Sequence, residues 1–145
     1  MIELTRLATA IANPADTARV KAGLSTRLWG LGPQELKDLD EDEVRWQSGM
    51  ETLYELRELW ERRGFMQMIG ELEARREVRK RLSAHEDSDR RLTNFRHAVE
   101  LLHQAELEHH LAPDGLLRWL RQERPGDDRG SSSEEAQLRL SLIHI

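Results

Sequence analysis

Apolar residues recur every three or four positions along most of this chain, which is the spacing of amphipathic helices. In residues 42–63 acidic residues open the segment, arginines close it, and Gly64 follows as a helix-ending glycine. The pattern resumes at once in residues 65–84, which predicts a helical hairpin or a sharp kink. The apolar positions of the two segments are Trp46, Met50, Leu53, Leu56 and Trp60 in the first and Phe65, Ile69 and Leu72 in the second.

The other helices are predicted from their ends. Residues 3–12 indicate a short helix, and Asn13 with Pro14 is the expected start of another that runs to about residue 26. A bend with one helical turn follows in LWGLGPQELKDLD, and Pro113 begins a short last helix. The central helix is expected in RRLTNFRHAVELLHQAELE, whose apolar residues are Leu92, Phe95, Ala98, Val99, Leu101, Leu102 and Ala105.

The C-terminal part has a different composition. Residues 124–135 read RPGDDRGSSSEE, which predicts a flexible linker over 124–137 because there is no large apolar side chain to bury. The alternation in QLRLSLIHI predicts that residues 138–145 begin one short, orphaned strand. The expected fold class is all-α, with five to six helices in an irregular bundle over residues 1–123, followed by this flexible tail.

Composition limits the classes of function. A chain of 145 residues is sufficient for one core, and the absence of cysteine excludes disulfides and thiolate metal sites. No signal peptide and no apolar run of about 18 residues is visible, so a cytoplasmic protein without membrane association is expected. The net charge of −5 repels phosphate at long range, so any contact with DNA must be local.

Motifs for catalysis are missing. The phosphate-binding pattern GxxxxGK[ST] does not occur, and neither does a GxSxG serine elbow, so no catalytic residue and no cofactor site is predicted in this chain. His103, Glu106 and His110 share one helix face and could bind a metal. One helix offers at most about three ligands and HExxH is absent, so solvated surface is the favoured interpretation and no metal site is predicted.

Cations cluster in RREVRKR and shortly after it. The candidate contacts to DNA phosphates are Arg75, Arg76, Arg79, Lys80, Arg81, Arg90 and Arg91. The alternative is that basic residues at a helix end complement the helix dipole and solvate its outer face, and both interpretations stay open. Stacking of the four tryptophans on bases is a further option, but their helical spacing favours core packing for Trp29, Trp46, Trp60 and Trp119.

Four stretches in register resemble one family. WERRGFMQMIGEL, RRLTN followed by His97 and ELL, LLRWLRQER and LRL occur in the order and spacing of the RecB family, the beta subunits of exodeoxyribonuclease V. The resemblance covers residues 3–140 and implies the helical 2B accessory region of a UvrD-like superfamily 1 helicase. It also implies a parent helicase-nuclease that uses ATP and Mg, processes DNA double-strand ends for recombinational repair and works with RecC and RecD.

The resemblance also identifies polar residues that are similar to those of the family and positions at which this chain differs from it. Thr93, Asn94 and His97 are family-like, and capping or inter-helix bonding by Thr93 and Asn94 is favoured over base reading. The family usually has leucine-like residues at Arg96 and Ala98 and glutamine at His103. At the C-terminus the family continues toward an IHKSKGLE motif, whereas this chain ends SLIHI. We interpret SLIHI as run-on translation. A parent locus that encodes SLIHI in uninterrupted frame would refute this interpretation.

A structural, duplex-guiding segment of such a helicase is therefore the leading hypothesis. A free-standing helical protein-interaction module is the alternative, and a metal-binding helical enzyme is the third. Helicase motifs flanking these codons would separate the first two, and metal analysis of the purified protein would test the third.

Overall fold

The computed structural model describes residues 2–84 and 86–122. They form eight helices: α1 (Ile2–Ala12), α2 (Thr17–Leu24), α3 (Pro33–Lys37), α4 (Glu43–Arg63), α5 (Phe65–Arg76), α6 (Val78–Ser83), α7 (Ser88–His109) and α8 (Pro113–Arg121). The all-α class is thus confirmed over this part of the chain. The predicted linker at 124–137, the predicted strand at 138–145 and the terminal SLIHI lie outside the described residues.

The expected count of five to six helices was too low. The helical turn in the bend is a helix of its own, α3, and the expected single helix over 65–84 is divided into α5 and α6. The division occurs at Glu77, which adopts the left-handed conformation with φ 49°. Residues other than glycine rarely take this conformation. Because position 77 is neither glycine nor proline, no residue there predicted a break in the helix.

The start of α2 also differs from the prediction. The backbone N–H of Asn13 donates to the carbonyl of Thr9 at 3.0 Å, and its side-chain amide donates to the same oxygen at 3.0 Å. Asn13 therefore completes the end of α1. The N-cap of α2 is Asp16, whose carboxylate accepts from the backbone N–H of Arg19 at 3.2 Å.

The predicted break at Gly64 produces a hairpin. Gly64 has φ 94°, and α5 begins at the next residue. Glu55 of α4 and Arg75 of α5 form an ion pair at 2.5 Å although they are 20 positions apart. Such a contact requires the two helices to run back along each other, because a straight pair would place these residues about 30 Å apart at a 1.5 Å rise per residue.

One hydrophobic core joins all but the smallest helix. α1 packs on α2, α4 and α8, while α7 packs on α5, α6 and α8. Core packing of the tryptophans is confirmed for Trp60 and Trp29, which are 2% and 4% exposed, and Trp46 and Trp119 are partly buried against the same core. The largest fully buried side chains are Trp60, Phe65, Phe95, Leu4, Leu7, Ile11, Leu24, Leu28, Leu39, Leu53, Leu56 and Met68. None of the eight helices is long and apolar enough to span a membrane.

Candidate nucleic-acid interface

Arg76, one of the predicted phosphate contacts, binds the protein itself. Its Nε donates to the backbone carbonyl of Trp29 at 2.8 Å, and its guanidinium carbon lies 4.5 Å from the centroid of the Trp29 ring. Burial lowers the pKa of Arg76, and the nearby charge of Arg81 lowers it further. The side chain thus fastens the end of α5 to the turn that follows α2.

Arg81 makes a parallel connection from α6. Its Nε donates to the carbonyl of Arg27 at 3.1 Å, and its Nη2 donates to the carbonyl of Leu28 at 2.6 Å. Burial lowers the pKa of Arg81. Gly30 has φ 85°, a backbone conformation that favours glycine, and a Cβ atom there would overlap the guanidinium of Arg81.

The remaining cations of RREVRKR face acidic residues. Arg75 binds Glu71 at 2.7 Å in addition to Glu55, and these two hydrogen-bonded carboxylates raise the pKa of Arg75. Arg79 pairs with Glu73 at 3.2 Å. Lys80 is the most exposed of the five, with a side chain that is 81% exposed and 3.9 Å from Glu77. Four of the five cations are therefore engaged by well-placed acceptors within the protein.

Arg90 and Arg91 lie in a different setting. They lie in the first turn of α7 and line a concave pocket of about 410 Å³ together with Asn94 and Arg27. Neither arginine forms an ion pair with any residue that the structure describes. Sequence analysis missed Arg27, because an isolated arginine in the turn STRLWG carries no signal that α7 lies beside it.

The three family-like polar positions do not act together. α7 begins at Ser88 with Asp87 as its N-cap, so Thr93 and Asn94 are too far along the helix to cap it. Capping of α7 is therefore wrong for both residues, while inter-helix bonding by Thr93 and Asn94 stays a prediction. Asn94 is partly buried in the pocket wall, whereas Thr93 and His97 are exposed.

Glu106, expected on a solvated helix end, is instead largely buried. Its side chain is 12% exposed, and its carboxylate accepts from the indole nitrogen of Trp60 at 3.1 Å and from the backbone N–H of Phe65 at 3.0 Å. His103 places Nδ1 4.0 Å from the same carboxylate, while His110 ends α7 in a left-handed conformation with φ 51°. Within residues 2–84 and 86–122, no three histidine or acidic side chains converge as metal ligands.

Comparison with known proteins identifies relatives. No family model matches the chain. It is 31% identical over 140 residues to the RecBCD enzyme subunit RecB of Escherichia coli K12, and 28% identical over 138 residues to RecB of Haemophilus influenzae. These alignments cover 94% and 95% of this chain but only 11% of either relative. The resemblance inferred from the sequence is thus confirmed, and the chain is related to RecB through a segment that makes up about a ninth of that subunit.

Proposed function

We propose that the chain is the 2B-like helical accessory region of a RecB-type, UvrD-like helicase-nuclease, with a structural and duplex-guiding role and no catalytic role. The observation that carries this proposal is the similarity to RecB along 94% of the chain. The helical fold supports it, because a single irregular bundle is the architecture expected of that accessory region. The absence of a phosphate-binding loop from the sequence agrees with a position outside the motor motifs.

The parent protein then has the activity of its family. It binds ATP and Mg in motor domains beyond this segment, unwinds DNA from double-strand ends in the cytoplasm and degrades it with a separate nuclease domain. The name of the relatives, RecBCD enzyme subunit RecB, supports RecC and RecD as its partners. DNA repair by recombination is the process that this assembly would serve.

The candidate phosphate contacts differ in whether acceptors within the protein already bind them. Arg90 and Arg91 are the best placed, because both line an open pocket and neither forms an ion pair with a described residue. Lys80 is second, since it is highly exposed and its distance of 3.9 Å from Glu77 makes only a weak ion pair. Arg76 and Arg81 would have to leave backbone carbonyls to reach DNA, and Arg75 would have to leave two glutamates.

The test is a segment exchange in the E. coli enzyme. The stretch of RecB aligned with this chain is replaced by this chain, and ATP-dependent unwinding and DNA degradation are measured after assembly with RecC and RecD. The enzyme carrying its own segment, removed and reinserted with the same junctions, is the control. Retained assembly and unwinding are expected. A chimera that assembles normally but does not unwind DNA would contradict the proposed role, and so would a parent locus without helicase motifs beside these codons.

A further inference from the structure

An open pocket lies where three parts of the chain meet. The start of α1 contributes Glu3, the turn after α2 contributes Arg27, and the first turns of α7 contribute Arg90, Arg91 and Asn94. Its volume of about 410 Å³ is toward the lower end of the range of small-ligand pockets, roughly 300 to 1,000 Å³. We call this feature the arginine pocket.

Arg27 is held in place by its backbone. Its N–H donates to Oε1 of Glu3 at 3.2 Å, and its carbonyl accepts from Nε of Arg81 at 3.1 Å. The backbone of this residue is thus fixed from both sides, while Arg27 is exposed, lines the pocket and forms no ion pair within the described part of the chain. A fixed backbone reduces the ordering entropy that a ligand must overcome on binding.

α7 supplies the other donors from one face. Asn94 lies four positions after Arg90 and three after Arg91, and residues at these spacings are neighbours on a helix surface. Guanidinium groups donate hydrogen bonds only, and the Asn94 amide adds two further donors. The ligand that matches three guanidiniums is therefore an anion with several acceptor oxygens arranged for bidentate contacts.

The charge of the pocket agrees with an anionic ligand. Three arginines face two carboxylates, those of Glu3 and Asp87, and Glu3 already accepts the N–H of Arg27. The pocket is thus locally cationic although the whole chain carries a net charge of −5. This contrasts with Arg75, whose charge is balanced by Glu55 and Glu71.

We propose that the arginine pocket binds one phosphate of the duplex DNA backbone, without reading base sequence. This inference rests on the proposed function, which provides DNA as the partner. A phosphate presents only acceptor oxygens to the guanidiniums, and a single phosphate shared by Arg27, Arg90 and Arg91 would position the start of α7 on the duplex. This contact fixes the orientation of α7 relative to the duplex.

The experiment uses the whole 145-residue chain and a fluorescently labelled blunt-ended duplex, with anisotropy recorded over a series of salt concentrations. The variants are Arg90→Gln/Arg91→Gln, the same pair with Arg27→Gln added, and Arg90→Lys/Arg91→Lys. Arg62→Gln/Arg63→Gln is the matched control, because it removes an exposed adjacent arginine pair and changes the net charge equally. Thermal unfolding of each variant verifies that it is folded.

Loss of one phosphate contact should flatten the slope of log affinity against log salt by about 0.9. We expect this change in Arg90→Gln/Arg91→Gln and no further change on adding Arg27→Gln, since Arg27 alone does not hold the shared phosphate once both α7 arginines are removed. The lysine pair should keep the slope but bind more weakly, because it lacks the bidentate fork. The Arg62/Arg63 control should match the wild type.

Three results would overturn the proposal: an unchanged slope in Arg90→Gln/Arg91→Gln, an equal loss in the control, or slope losses that add when Arg27→Gln is included. Binding of a polyglutamate peptide but not of duplex would assign the pocket to an acidic protein partner and also overturn it. An active RecB chimera combined with no phosphate contact would reject the arginine pocket and leave the proposed function standing.

Discussion

The indole nitrogen of Trp60 donates a 3.1 Å hydrogen bond to the carboxylate of Glu106, which lies 46 positions further along the chain. The same carboxylate accepts the backbone N–H of Phe65, the first residue of α5. Helix α5 has no side-chain N-cap of its own, since Gly64 precedes it. Glu106 therefore serves as an N-cap supplied by another helix, and it joins the α4–α5 hairpin to α7.

Removing this carboxylate should destabilise the fold. Glu106→Ala leaves two donors without a partner and should lower the free energy of unfolding by about 2 to 3 kcal/mol, whereas Glu106→Gln keeps an acceptor and should lower it by only about 1 kcal/mol. Urea denaturation followed by tryptophan fluorescence measures both. Glu108→Ala, on the same helix but largely exposed, is the control and should change little. Equal stability of Glu106→Ala and Glu108→Ala would exclude the capping role.

Gly64 and Glu106 should be energetically coupled. A Cβ atom on Gly64 would lie 2.9 Å from Oε1 of Glu106, and φ 94° with ψ 170° is a backbone conformation adopted almost only by glycine. Gly64→Ala should therefore lower the free energy of unfolding by about 1 to 3 kcal/mol. In a Glu106→Ala background the loss should be smaller by at least about 0.5 kcal/mol, because the close contact is gone.

A control for this cycle is present in α5. Gly70 lies within the helix, and a Cβ atom there would meet no atom within 4 Å. Gly70→Ala should thus raise the free energy of unfolding by about 0.5 to 1 kcal/mol through helix propensity. Additive losses for Gly64→Ala and Glu106→Ala would be inconsistent with direct contact between the two residues.

Phe95 tests which face of α7 is buried. Its side chain is 1% exposed, so Phe95→Ala should lower the free energy of unfolding by about 3 to 5 kcal/mol through lost burial and the cavity left behind. Tyr54→Ala removes another aromatic ring, but one that is 48% exposed, and should have a much smaller effect. A loss below about 1 kcal/mol for Phe95→Ala would show that a different face of α7 is inward.

Arg76 should contribute to stability. Arg76→Gln removes both the hydrogen bond to the Trp29 carbonyl and the stacking on its ring, and should lower the free energy of unfolding by about 2 kcal/mol. Arg76→Lys should restore only part of this, because an ammonium group lacks the planar guanidinium geometry. Equilibrium unfolding measures the effect, and Arg63→Gln, an exposed position at the end of α4, serves as the comparison. No difference between Arg76→Gln and Arg63→Gln would refute this role.

Lys80 and Arg75 should differ in DNA binding although they lie five positions apart. Lys80→Gln should flatten the slope of log affinity for duplex against log salt by about 0.9, because its ammonium is exposed enough to contact phosphate. Arg75→Gln should leave the slope unchanged, because Glu55 and Glu71 already bind its guanidinium. The two variants change the net charge equally, so a fall in slope for both would indicate a general charge effect in place of a specific contact.

Several local features were predictable from sequence because they depend on neighbouring residues. The apolar spacing placed α4, α5 and α7, and Gly64 and Pro113 marked the boundaries where the structure has them. The prediction from local sequence was wrong where two candidate N-cap residues lie close together. Asn13 before Pro14 matches a helix start, yet its amide bonds back to Thr9, and Asp16 three positions later makes the cap.

The break at Glu77 had no local signal. Arg76 immediately before it binds the carbonyl of Trp29, and Arg81 shortly after it binds the carbonyls of Arg27 and Leu28. These partners are 47 to 54 positions away in sequence. The two anchors flank a residue held in the left-handed conformation, an arrangement that helix propensity alone would not produce.

The sequence by itself determined that this chain is helical, which faces are apolar and that its motifs resemble RecB, because periodicity and motif order are properties of consecutive residues. Only the tertiary structure decided what each cation does. The seven basic residues between positions 75 and 91 are chemically similar in the sequence. In the fold, Arg76 and Arg81 bind carbonyls, Arg75 binds glutamates, and Arg90 and Arg91 line an open pocket beside Arg27. The physical reason is that a guanidinium's role depends on the acceptors within about 3 Å of it. For Arg76 and Arg81 all of these acceptors, and for Arg75 one of the two, come from distant parts of the chain.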